Sequence, residues 1–342
     1  MVTTELRRDP VTGRWVVIEM APVKSRSEFE PSPQAPKPPS PQDSKDHPCA
    51  FCEGQEAAAG RELLAWREGT PADGPGWSVR VVPNRRPVLG IAGTAERRVD
   101  GLFESRDGLG AHEVVIESPT HDETLAAMPV ERLWRVLWAW RTRLQDLKRD
   151  TRFVAAVVFK NHGRAAGALM AHPHSQIVAY PVVPSALDDE LRGCTAHHAQ
   201  TGHCLSCDLL QQEIRARVRV VLELPDVVAV VPYASRTPFE VWLSPRAHAA
   251  RFEEASDATL AALAGALRAV LAGVDWALER PAYNLVLRTA PFDGRADDAF
   301  HWHLEVVPRV TRIGGLEWGS GIARNPVSPE EAASALRVQL AV

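Results

Sequence analysis

The feature that most limits how this 342-residue chain can fold is that it repeats itself. Cys49-x-x-Cys52 is matched by Cys204-x-x-Cys207. VVPN, ending at Asn84, is matched by VVPY, ending at Tyr233. HEVVIESPTH, ending at His121, is matched by FEVWLSPRAH, ending at His248, and His172-x-His174 by His301-x-His303. The intervals from His121 to His172 and from His248 to His301 are 51 and 53 residues. Matched features in one order at nearly one spacing imply an internal duplication.

Each unit therefore offers two Cys and two His, a set suited to tetrahedral zinc. A lone CxxC is equally readable as a redox pair or two buried thiols. The matched histidines favour metal, with Cys49, Cys52, His121 and His172 as one candidate set. Cys204, Cys207, His248 and His301 form the other. Cys194 has no counterpart and reads as an ordinary thiol. His197, His198 and His203, beside Cys204, read as solvated.

Hydrophobic patterning gives the fold class. Short β-branched runs read as strands: Val79 to Pro83, His112 to Pro119, Phe153 to Asn161 and His174 to Pro181. A three-and-four spacing of apolar residues from Leu125 to Lys148 predicts a long helix. The second half repeats this order with strands at Val227 to Pro232, Phe239 to Pro245, Tyr283 to Thr289 and His301 to Pro308. Its helix spans Leu260 to Leu278. Strands separated by one helix suggest an antiparallel α+β layer with the helix on one face. The proline-rich PSPQAPKPPSP, residues 31–41, reads as an extended loop.

Composition narrows the partners. Apolar residues are 45% and charged residues 24%, ordinary for a globular protein. A net charge of −4, with both signs dispersed, gives no footprint for nucleic acid or for an anionic membrane. The N-terminus lacks the order of a signal peptide, and no uninterrupted apolar run approaches the ~18 residues of a membrane span. A cytoplasmic location is expected.

HPHSQ carries the chemistry. Alternation puts His172 and His174 on one face. If His172 holds metal, His174 is free as a neutral imidazole able to attack phosphorus and form a covalent intermediate. Gln176, two residues on, can donate an amide N–H to the transferred group. His112, at the start of a strand, reads as structural. Trp134, Trp138 and Trp140 read as core or interface, and Trp302 points away from His301 and His303.

HPHSQ, preceded by FKNHGRAAGALMA, CxxC and SPTH, resembles the galactose-1-phosphate uridylyltransferase branch of the histidine triad superfamily. The likeness extends to the opening RRDPVTGRWVVI and the closing EWGSGIARNPVSPEEAA. It implies two fused histidine-triad-like domains, each an antiparallel half-barrel with packed helices, here 1–185 and 186–342, and a homodimer. The implied reaction, a step of galactose metabolism, moves UMP from UDP-glucose to galactose 1-phosphate through a uridylyl group on His174. Gln176 would contact the phosphoryl group. Asn161 and the loop with Gly167 would line the phosphate site, Asn84 would lie near the nucleoside, and Glu317 would contact the hexose. Lys24 and Arg26 fall near an early basic motif of the family. Zinc is implied on the first Cys2His2 set. At the second, some relatives use a carboxylate and several His to hold iron or zinc. Glu190 stands at that carboxylate's position, and His303 also remains.

Two departures bear on substrate. Leu169 stands where many members have a serine that contacts phosphate, and Arg85 follows Asn84 where some have an acid. Two rival readings follow. One is an adenylyltransferase or phosphorylase acting on ADP-glucose or a dinucleoside polyphosphate. The other is a zinc-stabilised nucleotide-binding protein with little catalysis.

Overall fold

β-Branched runs form strands where they can pair, and the amphipathic segments form helices laid across them. The computed structural model describes residues 4–20 and 49–340, so Lys24, Arg26 and the proline-rich segment lie outside the described residues. The first half holds β1 (Thr4–Arg8), β2 (Trp15–Glu19), α1 (Glu56–Ala59), β3 (Leu64–Arg67), β4 (Trp77–Pro83), β5 (Arg97–Asp100), β6 (Phe103–Arg106), β7 (Ala111–Ile116), α2 (Val130–Leu147), β8 (Ala155–His162) and β9 (His174–Tyr180). The second holds α3 (Ser185–Thr201), α4 (Leu205–Ala216), β10 (Val220–Glu223), β11 (Val227–Val230), β12 (Val241–Pro245), α5 (Asp257–Leu278), β13 (Tyr283–Arg288), β14 (His303–Pro308), α6 (Gly315–Ser320), β15 (Ala323–Asn325) and α7 (Pro329–Leu340).

Ten strands form one sheet in the order β10-β11-β12-β14-β13-β8-β9-β7-β4-β3. All neighbours in it are antiparallel. From the centre outward, β8-β9-β7-β4-β3 mirrors β13-β14-β12-β11-β10. The duplication is thus two five-stranded units joined edge to edge at β8 and β13. Phe159 pairs with Gln176 on one side and Val286 on the other, and Val286 pairs with Glu305. The pseudo-twofold axis passes through the Phe159–Val286 pair.

The register corrects the sequence matching by one residue. Val114 faces Gln176, whereas Trp242 faces Glu305, so Val114 and Trp242 are equivalent. Matching HEVVIESPTH to FEVWLSPRAH aligns Val114 with Val241 instead. The offset is absorbed between the strands and His121 or His248.

Alternation divides the sheet's two faces. Val158, Ile177, Leu285, Leu304 and Val306 join the core beneath α2 and α5. The opposite face carries Phe159, Asn161, His174 and Gln176, then Asn284, Arg288, His303 and Glu305. Helix α5, 22 residues long, is long and apolar enough to pass for a membrane span. Here its Leu260, Leu263, Leu267, Val270 and Val274 are buried in the core.

Element limits move for local reasons. α2 begins at Val130 rather than Leu125, because Pro129 has an extended backbone and precedes the first helical residue. α5 begins at Asp257, where the Ser256 hydroxyl accepts the Thr259 N–H. β12 begins after Phe239, whose φ of 60° breaks the extended run. β14 begins at His303, because His301 turns toward its cysteine pair. The hairpin β1–β2, joined in parallel by β15, forms a separate three-stranded sheet. Its turn buries Val11 against Leu187, Leu191 and Phe300. Gly193 of α3 permits that approach, since a Cβ there would lie 1.8 Å from the Val11 carbonyl oxygen.

At the seam, His162 of β8 stacks on Tyr283 of β13 with ring centroids 4.6 Å apart. Burial, reinforced by the Lys160 ammonium, pulls its pKa down to about 4. The unfolded chain therefore binds a proton below about pH 6.5 that the folded chain refuses, and stability falls as pH drops from 6.5 toward 4. Between pH 7.5 and 5 this one group is expected to cost about 2 kcal/mol. Urea unfolding at both pH values should show a shallower pH dependence in His162→Gln; equal slopes would refute the assignment.

Candidate active site and its metal clusters

Three chain segments meet at the first cysteine cluster. Cys49 and Cys52 lie on the turn before α1, His121 follows β7, and His172 precedes β9. Cys52 Sγ lies 3.5 Å from His121 Nδ1 and 3.7 Å from His172 Nδ1, and Cys49 Sγ lies 3.8 Å from His172 Nδ1. His172 Nε2–H donates to the Ser118 carbonyl at 2.7 Å, which leaves Nδ1 deprotonated toward the thiols. The second cluster repeats this. Cys207 Sγ lies 3.5 Å from His248 Nδ1 and 3.4 Å from His301 Nδ1. His248 and His301 donate Nε2–H to the carbonyls of Asp297 and Pro245, at 2.8 and 2.9 Å. In each cluster the four donor atoms lie within 4.8 Å of one another, so both sets could hold a metal ion. Cys194 stands apart, buried, with burial pushing its thiol to about 12. His197 and His203 pair instead with Asp208.

The nucleophile candidate is the first residue of β9. His174 Nδ1–H donates to the His172 carbonyl at 2.8 Å, which leaves Nε2 with its lone pair. Burial holds the His174 imidazole below its usual pKa, so it is neutral near pH 7. Phe51, between the two cysteines, meets His174 edge-on at 5.5 Å and His172 at 6.0 Å. Sequence reading missed Phe51, because an aromatic inside CxxC carries no signal of its own. Behind the strand, Lys160 Nζ donates to the His174 carbonyl at 3.1 Å and pairs with Glu117 at 2.5 Å. Both side chains are buried. Trp140 Nε1–H donates to Ser175 Oγ at 2.8 Å, so this helix tryptophan does lie in the core.

Gln176 follows on the same face. Its Oε1 accepts from His112 Nε2 at 2.8 Å and from Asn84 Nδ2 at 3.3 Å. Asn84 is thus against Gln176. Asn161 lies across the seam from Asn284, whose Nδ2 donates to Asn161 Oδ1 at 2.8 Å and to the Ala166 carbonyl at 2.9 Å. Gly167 has φ 89° and ψ 14°, left-handed geometry that favours glycine. Its carbonyl accepts from Asn161 Nδ2 at 3.5 Å. Glu317 is on α6, where it accepts the Gly314 N–H at 2.8 Å. A cavity of about 440 Å³ spans the seam, and its walls include Asn161, Asn284, Arg288, Arg309, Arg312 and Glu317. His174 and Gln176 are not part of that wall. Leu169 is 98% exposed, and Arg85 is also exposed.

The second half keeps the histidine and changes its surroundings. His303 Nδ1–H donates to the His301 carbonyl at 3.3 Å, as His174 does to His172. By register, Glu305 occupies the place of Gln176, Arg288 that of Asn161 and Glu240 that of His112. Arg288 lies 3.1 Å from Glu305 and 3.4 Å from Glu190, and Arg236 lies 3.1 Å from both Glu240 and Glu305. Trp242 stacks on His303 at 4.6 Å. A carboxylate where the first half has an amide repels a phosphoryl group. Glu190 is therefore grouped with His303 and Glu305, and its charge is met by Arg288. His248 and His301 side with the cysteines, while Glu190, His303 and Glu305, whose ligand atoms lie within 4.8 Å of one another, could hold an ion of their own, so the carboxylate version of the second ligand set is only partly assembled.

Comparison with known proteins gives a consistent result. Residues 1–184 match the family model for the galactose-1-phosphate uridyl transferase N-terminal domain, and residues 190–337 match that for its C-terminal domain. An ADP-glucose phosphorylase from Arabidopsis thaliana is 34% identical, over 97% of this chain and 92% of its own. A galactose-1-phosphate uridylyltransferase from Thermotoga maritima is 27% identical, over 97% and 98%. The crystal structure of an Arabidopsis thaliana ADP-glucose phosphorylase with bound ADP-glucose has a TM-score of 0.81 at 32% identity, covering 98% of this chain and 99% of that one. A uridylyltransferase structure has a TM-score of 0.74 at 26% identity, covering 99% of each chain.

If both clusters are filled, elemental analysis of the purified chain should find two metal ions per molecule. Cys52→Ser and Cys207→Ser should each remove one. Unchanged metal content in both variants would refute the ligand sets.

Proposed function

Because this chain belongs to the galactose-1-phosphate uridylyltransferase family, we propose that His174 carries a nucleotidyl group between a nucleoside diphosphate sugar and a phosphate acceptor. The observation that carries this reading is the hydrogen bond from His174 Nδ1–H to the His172 carbonyl. It fixes the tautomer that leaves Nε2 as a neutral nucleophile on the face shared with Gln176. In the first displacement Nε2 bonds to the α-phosphorus, the bridging P–O bond breaks, and glucose 1-phosphate leaves with its electron pair. In the second an acceptor phosphate oxygen bonds to the same phosphorus, and the P–N bond breaks to restore His174. Gln176 would donate its amide N–H to the transferred group. Asn161, Gly167, Lys24 and Arg26 would serve the phosphates, and Glu317 the sugar.

The donor we favour is ADP-glucose, with inorganic phosphate as acceptor and ADP as product. The 34% identity to an ADP-glucose phosphorylase, and the 0.81 TM-score to one with ADP-glucose bound, support this choice. UDP-glucose with galactose 1-phosphate is the second reading, supported by the Thermotoga maritima relative matched over 98% of its length. Residues 1–185 would form the catalytic half and 186–342 its inactive duplicate. We also propose a homodimer, a reading supported by the exposed apolar residues Leu102, Phe103 and Trp318.

Zinc is our choice for both clusters. Tetrahedral zinc with bonds of ~2.3 Å to sulfur and ~2.0 Å to nitrogen separates sulfur from nitrogen by roughly 3.5 Å. The observed 3.4–3.8 Å separations fit. Four protein ligands leave no open position, which makes the role structural. In the first cluster it would brace Phe51 and His172 around the nucleophile.

Intact-protein mass spectrometry after mixing with ADP-glucose or UDP-glucose tests the proposal. A gain of one AMP or one UMP per chain is expected, present in His303→Ala and absent in His174→Ala. The nucleotide found identifies the base. An adduct that persists in His174→Ala, or none from either donor in metal-replete protein, would sink the reading.

A further inference from the structure

Gln176 can serve a phosphoryl group only if its NH2, and not its carbonyl oxygen, faces that group. The two ends of an amide are nearly the same shape, so something must decide between them. Nothing in HPHSQ does so. The neighbouring strand and the loop after β4 do.

We propose that His112 is a positioning residue that sets the orientation of the Gln176 amide, an inference that rests on the phosphoryl-contacting role assigned to Gln176 above. The Val88 N–H donates to His112 Nδ1 at 3.1 Å. Nδ1 is therefore unprotonated, and the ring proton is on Nε2. Nε2–H donates to Gln176 Oε1 at 2.8 Å. Asn84 is held in the same way. Its Oδ1 accepts the Arg86 N–H at 2.9 Å, which turns its Nδ2 toward Gln176 Oε1 at 3.3 Å. Two backbone N–H groups of the 84–88 loop thus orient two donors, which lie 3.0 Å from each other and both face one oxygen, His112 Nε2–H at the shorter distance. Flipping Gln176 would set its NH2 against the N–H groups of His112 and Asn84. Gln176 Nε2 has no protein partner among the described residues, and its side chain shares the face of His174. His112 itself is buried, and its backbone carbonyl accepts the Asn84 N–H at 2.8 Å, so neither group drifts. The duplicate lacks the device, because Glu240 and Glu305 stand at the equivalent positions and Arg236 bridges them.

The test is a double-mutant cycle on the rate at which the full-length, metal-replete enzyme forms the His174 adduct, with ADP-glucose and UDP-glucose as donor probes. His112→Leu removes the donor. His112→Asn keeps an acceptor for Val88 but cannot reach Gln176, and serves if the leucine variant folds poorly. Either should slow adduct formation by roughly 10–100-fold, since a donor that strengthens in the transition state is lost. The donor concentration at half-maximal rate should move less than about 3-fold, because ground-state binding is largely kept. His112→Gln places an amide N–H near the Nε2 position and should recover most of the rate. In a Gln176→Ala background the same His112 changes should have no further effect. Equal slowing in both backgrounds, or a His112→Gln variant as slow as His112→Leu, would overturn the proposal and leave His174 chemistry standing. Failure of the wild type to form an adduct with either donor would overturn both.

Discussion

Everything in this molecule hangs on the antiparallel pairing of β8 with β13. A five-stranded antiparallel unit has two edges, and an open edge invites association with other chains. Here the inner edge of each unit is closed by the other. Leu285 opposite Lys160 and Leu287 opposite Val158 fix the register, and a slip of one residue would turn every side chain to the wrong face. The seam thereby commits both duplicates to one helix-covered face and one open face. His174 and His303 end up on the same open face, on opposite sides of the axis.

That shared face explains why the duplicates could diverge in charge without losing the fold. The core beneath α2 and α5 is almost wholly apolar in both halves, so folding places little demand on the open face. The first half has neutral groups there: Asn161, Gln176 and His112. The second has Arg288, Glu305 and Glu240, held in a buried ion network with Arg236 and Glu190. Each carboxylate of this network has an arginine beside it, which offsets part of the cost of burying charge, while Glu190 Oε2 and His303 Nε2 keep no hydrogen-bond partner among the described residues. The β1–β2 turn and α4 then approach His303 and Trp242.

The sequence disclosed whatever depends on residue type at fixed spacing. Both Cys2His2 sets, the two-unit organisation and the His174–Gln176 pair were legible because metal chelation and strand alternation impose such spacing. The one-residue offset between Val114 and Trp242 was not, because loops absorb single insertions and only hydrogen-bond register records them. Nor was the seam, because a strand's neighbour is set by three-dimensional closure. Phe51, Lys160 and Glu117 escaped for another reason. None belongs to a spaced motif, and a single aromatic or charged residue has many ordinary places to be. His112 reads from the sequence as structural, and its pairing with Gln176 needed the register of β7 against β9.

The first cysteine cluster makes physical sense as a device that orders the surroundings of His174. His174 is useful only while the His172 carbonyl stays beneath its Nδ1–H. His172 precedes the strand, so no ladder hydrogen bond of β9 holds it there. Its ring is instead gripped at both nitrogens, by the Ser118 carbonyl at Nε2 and by the thiols at Nδ1. Ligand sets that join residues 49, 52, 121 and 172 close long loops, so the binding free energy of a metal ion counts directly toward folding. A chain that ties the hydrogen-bond acceptor of His174 into such a cluster cannot loosen that acceptor without also opening the cluster. Local order at His174 therefore follows the stability of the Cys2His2 set.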